Sequence, residues 1–237
     1  MVLLSLWSPK GGSGTSVLAA ACAIVLAQDR GARLVDLDGD QEAVLGLPPR
    51  ASGGPDDPDG VRDWLAVGPE APADALNLLA VDAGPGLVLV PTGSDDRGAT
   101  GEAGAALGVV LRDGGGAVVA DCGRAADDAS RAVVEVSDLS VVVIRPCYLA
   151  LRRAAADELV RSASGIVVVD EPGRALGARE VADVLGVPVI ASVPVRAAIA
   201  RVVDAGVLVA RLPDGLARPA RALLDRLGIA LSRGHAA

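Results

Sequence analysis

Ser8-Pro9-Lys10-Gly11-Gly12-Ser13-Gly14-Thr15-Ser16 stands between the apolar run Val2–Trp7 and the Ala/Leu/Val-rich stretch Ser16–Ala27. The first run has the length and composition of a buried strand and the second those of a helix, so the glycines occupy a strand-to-helix turn. Glycines there allow successive main-chain N–H groups to aim at one spot, and the helix N-terminus adds partial positive charge. Together these features cradle phosphate oxygens. Ser16, at the head of the helix, is placed to offer its hydroxyl to Mg²⁺. Residues 10–16 are therefore the expected phosphate contacts: Lys10, Gly11, Gly12, Ser13, Gly14, Thr15 and Ser16.

Outward from that loop, the chain alternates apolar runs with helix-like stretches. Strands are expected at Arg33–Leu37, Leu76–Val81, Leu87–Val90, Ala117–Ala120, Leu139–Ile144, Ile166–Val169 and Val187–Val193, and a helix at Gly101–Leu111. Continuous apolar strands separated by helices predict an α/β fold, a mostly parallel sheet with helices on both faces. Ligands of such sheets bind beyond the carboxyl ends of the strands. The glycine loop, Asp36, Asp38 and Asp121 all follow expected strands and should converge on one edge. Pro48–Pro58 reads as a Pro/Gly/Asp-rich loop.

The 237 residues suit one domain spanning 1–237. No apolar run reaches the roughly 18 residues needed to cross a bilayer, and Val2–Trp7 leads into the glycine loop, which points to a cytoplasmic protein. Cys22, Cys122 and Cys147 are far apart in sequence and read as small buried apolar residues, not as a disulfide or zinc framework. His235 is assigned no chemistry. The net charge of −8 divides into −8 over residues 1–100, −4 over 101–195 and +4 over 196–237. The basic end leaves an anionic partner such as DNA open, although a solvated arginine face accounts for it equally simply. Over Leu216–Leu231, Leu223, Leu224, Leu227 and Leu231 share a helical face. With no Phe, Trp or Lys to anchor it at a bilayer, this reads as a packed terminal helix and not a membrane-binding one. Lys10 is the only lysine among 22 basic residues, so its place inside the glycine loop suggests a site that favours an ammonium.

The loop resembles that of the ParA/MinD family of P-loop NTPases, the SIMIBI class, whose pattern is KGGxGK(T/S) with an extra lysine ahead of the glycines. Lys10 matches that family-defining lysine, and the resemblance implies that it reaches across an ATP-held homodimer to the partner's phosphates. The second lysine of the pattern is replaced by Thr15, which removes one cation from the phosphates; affinity, hydrolysis or both should be weaker for it. Asp121-Cys122-Gly123 resembles the segment that holds Mg²⁺ through water. Asp38, in Asp36-Leu37-Asp38-Gly39-Asp40, resembles the second aspartate of the family's DxDxQ switch, which orients the attacking water; Asp36 then reads as structural.

Further matches run in family order through Ser137-Asp138-Leu139, Arg145-Pro146, Leu185-Gly186-Val187-Pro188, Ser192-Val193-Pro194 and Asp204-Ala205-Gly206. Where the family places a base-contacting asparagine, this chain reads Val169-Asp170-Glu171-Pro172. The resemblance implies ATP or ADP with Mg²⁺ as cofactors, Lys10 and Asp38 as catalytic groups, Ser16 and Asp121 at the metal, and an unidentified partner protein. Two functions follow: a slow ATPase that works as a positioning switch, or a non-hydrolysing scaffold like the CpaE/TadZ branch associated with pilus assembly. An iron–sulfur reductase shares the fold, but Cys122 directly follows Asp121 and does not occupy a cluster-bridging position.

Overall fold

The computed structural model describes residues 2–48, 59–93 and 98–231. Its centre is β1 (Val2–Trp7), whose side chains alternate between the two faces of a sheet. Leu3 and Trp7 enter one apolar layer, Leu4 and Leu6 the other, and all four are fully buried. Burial on both faces explains why the strand reads as a continuous apolar run and not as an alternating one. β2 (Ala32–Asp36), β5 (Ala117–Asp121), β6 (Leu139–Ile144), β7 (Gly165–Asp170) and β8 (Val189–Pro194) run parallel to it. With β3 (Val81–Gly84) and β4 (Leu87–Val90), the sheet order is β3-β4-β2-β5-β1-β6-β7-β8.

One face carries α1 (Thr15–Arg30) and α11 (Asp214–Arg226), with α2 (Gln41–Leu45) and α10 (Ala197–Asp204) beside them. The opposite face carries α3 (Val61–Val67), α5 (Gly101–Asp113), α6 (Asp128–Val136), α7 (Tyr148–Ala156) and α9 (Ala178–Leu185). The mostly parallel, two-sided sheet is as expected. α1 runs to Arg30 because Gly31, at φ 85°, takes a conformation that breaks the helix. Cys22 and Cys122 are buried, and burial pushes the Cys22 thiol up to about 12. Cys147 is half-buried at the start of α7, where its sulfur accepts the Ala150 N–H at 3.4 Å. His235 and residues 49–58 of the expected loop lie outside the described residues.

One expected strand is wrong. Leu76–Val81 opens instead as the single helical turn α4 (Ala75–Leu78), and the strand begins only at Val81. The spacing of burial gives the reason: Leu76 and Leu79 are buried three residues apart while Leu78 is 87% exposed, a helical pattern that a short apolar run conceals. β3 then pairs antiparallel with β4 through the Gly84–Gly86 turn, so this edge of the sheet is a hairpin. The terminal helix packs as anticipated, burying Leu216, Ala220, Leu223 and Leu224 against α1 and β8, but it ends at Arg226, short of Leu231. Two of its arginines are engaged locally, Arg218 with Asp214 at 3.1 Å and Arg221 with Gln28 at 2.9 Å.

Candidate functional site

Three adjacent strands end at one place. In register, Leu6 of β1 pairs with Asp121 of β5, and Asp121 pairs with Asp36 of β2. The glycine loop, the turn after Asp36 and the turn after Asp121 therefore leave the sheet side by side. Main-chain bonds tie them together: Ser8 N–H donates to Gly123 C=O at 2.8 Å, and Leu37 N–H to Asp121 C=O at 2.9 Å. β1 lies where the connections change direction, β2, β4 and β5 to one side and β6, β7 and β8 to the other. A crevice at such a point is the usual ligand site of an open parallel sheet.

The loop is shaped by its glycines and two serines. Gly12 and Gly14 adopt φ of 73° and 82°, a left-handed conformation that a side chain resists, and no atom within 4 Å fills the space a Cβ would take at either. Ser13 hydroxyl donates to Lys10 C=O at 2.7 Å, and Ser8 and Ser13 hydroxyls lie 2.8 Å apart, so the turn is braced from beneath. Above it opens a cavity of about 220 Å³ lined by Gly11–Val17, Asp38, Asp40, Gly123 and Arg124 among others. Thr15 and Ser16 line the same cavity and form the first turn of α1, where main-chain N–H groups have no intrahelical acceptor. A second cavity of about 340 Å³ shares Gly12–Gly14 and is walled mainly by apolar groups, including Val169, Val193, Pro194, Ile199 and Leu216. Glu171, near the expected base-contact position, is instead turned to Arg145 and Arg174, at 2.9 and 2.8 Å.

Asp121 is fully buried, with one oxygen accepting Gly123 N–H at 3.1 Å and the other accepting Gln41 Nε2 at 2.6 Å. Burial raises its carboxyl to about 7 against these bonds and a further one with Ser16. Among the described residues, no three or more His, Cys, Asp and Glu side chains gather into a metal cage. The neighbouring Ser16 hydroxyl and Asp121 carboxylate do fit Mg²⁺, a hard cation that takes few protein ligands and completes its shell with phosphate and water. The Gln41 carbonyl oxygen, buried beside them, accepts no hydrogen bond among the described residues.

Asp36 and Asp38 differ in their surroundings. Asp36, buried, accepts the N–H groups of Asp38, Gly39 and Gln41 at 3.1, 2.7 and 2.9 Å and so closes the turn. Asp38 projects to the cavity rim, its carboxyl held above the usual range by partial desolvation and then by the charge of Asp40, with Arg124 opposing both. Lys10 does not line the cavity; its exposed ammonium donates to Gly11 C=O at 3.4 Å.

Two site residues went unread in the sequence. Gln41 follows the DxDxQ spacing one residue late, because Asp40 occupies the pattern's last place, so the motif does not point to it. Arg124 sits in a turn with no motif of its own. The structure gives the reason for a glycine before it: Gly123 (φ 50°) packs against Asp38 so closely that any Cβ would overlap the carboxylate.

With a strand, a glycine loop and a helix head beside a strand-end aspartate, and with this sheet order and helices on both faces, the chain has the fold of the ParA and MinD ATPases of known structure. Similar solved structures include a ParA family ATPase from Chlorobium tepidum TLS, with TM-score 0.76 at 20% identity over 95% of this chain and 98% of that one. The MinC:MinD cell division complex of Aquifex aeolicus gives 0.75 at 18% identity, covering 96% of each chain. MinD of Pyrococcus horikoshii OT3, complexed with Mg-ADP, gives 0.72 at 16% identity and 95% of each. No family model matches the chain. Among curated proteins, the uncharacterized proteins MT3760 and Rv3660c of Mycobacterium tuberculosis are each 32% identical over 249 residues, 95% of this chain. The chain spans 64% of their length. Among the described residues no helix is long and apolar enough to cross a membrane.

Proposed function

We propose that this chain is a ParA/MinD-like ATP-binding switch that works in the cytoplasm, in which bound nucleotide controls dimerisation and thereby positions a cellular cargo. The observation that carries this reading is the loop itself: left-handed Gly12 and Gly14 line a cavity at the head of α1 together with Ser13, Thr15 and Ser16, and Ser16 in turn neighbours Asp121. The amides and the helix N-terminus would hold the phosphate tail. The apolar second cavity, contiguous at Gly12–Gly14, suits a base and ribose held by packing, with no asparagine to select adenine. Mg²⁺, when bound through Ser16 and Asp121, would neutralise phosphate charge and polarise the terminal group. Asp38 at the rim would orient water toward that group, and Lys10 would serve a partner's site. That the Pyrococcus relative holds Mg-ADP and the Aquifex MinD forms a complex with MinC supports nucleotide, metal and a protein partner here.

Thr15 favours a second reading. It is uncharged and lines the cavity where a P-loop lysine would reach the β- and γ-phosphates, so a chain that holds nucleotide without turning it over, as a CpaE/TadZ-like landmark, also fits. Recognition of DNA through the basic end would draw on arginines of α11 and its flanks, of which Arg221 is engaged with Gln28 of α1 and Arg218 is paired, among the described residues, only within its own helix. Sedimentation velocity with Mg²⁺ and either ATP or ADP tests the switch. A shift from monomer to dimer with ATP alone is expected, and an unchanged profile with ATP at millimolar concentration would refute it. Steady-state turnover then separates switch from landmark.

A further inference from the structure

The charged lining of the phosphate-side cavity is unbalanced for a polyanion. Its loop side chains Ser8, Ser13, Thr15 and Ser16 are uncharged, two carboxylates, Asp38 and Asp40, face it, and Lys10 does not line it. The cationic side chain that does line it is Arg124, which comes from the turn after β5 and not from the loop. Three features place it there. Ser8 N–H holds Gly123 C=O at 2.8 Å, fixing the turn to the loop. Ala125 N–H closes the turn on Cys122 C=O at 2.6 Å, with Gly123 at φ 50° and Ala125 at φ 44°. Ala125 is buried and left-handed although it carries a Cβ; such an unfavourable conformation persists only where the surroundings impose it, and it is concentrated at functional sites. Lastly, the Arg124 stem lies across the loop, with its Cδ 3.2 Å from where a Cβ on Gly11 would be.

Its guanidinium is exposed and, among the described residues, lies in no salt bridge. Other arginines nearby are already committed: Arg131 to Asp157 at 2.9 Å and Arg62 to Asp127 at 3.1 Å. A guanidinium presents a planar fork of donors matched to phosphate oxygens, whereas an alcohol such as Thr15 presents one.

We propose that Arg124 is a phosphate-binding residue of this site, supplying from the turn after β5 the cationic contact to the β- and γ-phosphates that Thr15 does not provide. This inference rests on the reading of the site as a nucleotide site. It makes this chain one in which the phosphate cation comes from the turn after β5 and not from the helix head, in the same cavity.

The test is calorimetric titration of wild type, Arg124→Ala, Arg124→Lys and the Thr15→Lys/Arg124→Ala double variant with ATP, ADP and AMP, at low ionic strength with Mg²⁺. Because Arg124 is exposed, its replacement should leave folding intact, which circular dichroism checks. Loss of a charge-assisted contact should weaken ATP and ADP binding of Arg124→Ala by about ten- to a hundredfold. AMP, which lacks the outer phosphates, should be little affected. Arg124→Lys should recover part of the loss, and lysine at position 15 should restore binding from the helix head. Unchanged ATP and ADP affinity in Arg124→Ala would overturn the proposal while leaving the nucleotide reading intact. An equal loss for all three nucleotides would also overturn it, as the mark of a merely structural arginine. If wild type binds none of them, both the proposal and the reading beneath it fall.

Discussion

Lys10→Ala is expected to bind ATP nearly as well as wild type yet remain monomeric with ATP and Mg²⁺. Lys10 is not among the residues lining the cavity and, among the described residues, its ammonium donates only to Gly11 C=O, at 3.4 Å, so its removal strips nothing from the cavity wall. In the dimer proposed above, the Lys10 ammonium would extend into the partner's site. Cations inserted from outside are worth about 10³–10⁵ in rate in other NTPases, so any ATP turnover should fall to background. Sedimentation velocity and a phosphate-release assay read the two effects. A variant that dimerises normally would remove the trans role, and one that loses ATP binding would reassign Lys10 to its own chain's phosphates.

The second large effect is on the scaffold. α5 and α6 approach through glycine: a Cβ on Gly104 would overlap the main chain of the fully buried Ala129, and one on Gly108 would overlap Val136. Backbone cannot rotate aside as a side chain can. Gly104→Val should therefore push the helices apart and cost ~3 kcal/mol or more, beyond the usual range for overpacking a yielding core. A domain of this kind has only about 5–15 kcal/mol of stability in total, so the loss should be evident as a large fall in the denaturation midpoint. A midpoint within experimental error of wild type would show that the two helices can separate freely.

The parts of this molecule legible in its sequence are those encoded locally. β1, the glycine loop and α1 announce themselves because a doubly buried strand, a run of glycines and an Ala/Leu helix each impose a pattern on consecutive residues. The strand-end positions of Asp36, Asp38 and Asp121 followed from the same alternation, and parallel pairing then brought them together. What was missed depends on relations between distant residues. The turn of helix at Ala75–Leu78 depends on which leucines find the core, and an apolar run of that length serves a strand equally well. Gln41 reaches Asp121 across 80 positions in the sequence, and Arg124 reaches the loop only because Gly123 and Ala125 turn the chain back upon it. Neither spacing nor composition carries that information, since every such contact is made by folding two strand ends into register.

The proposed switch requires that the cradle at Gly12–Ser16 hold a polyphosphate. Calorimetric titration of the chain with ATP in the presence of Mg²⁺ measures this directly. Saturable binding at one site per chain, lost when Gly14 is replaced by a bulky residue that cannot adopt its φ of 82°, is the predicted result. Absence of any binding heat at millimolar ATP, from a chain shown to be folded, would contradict it.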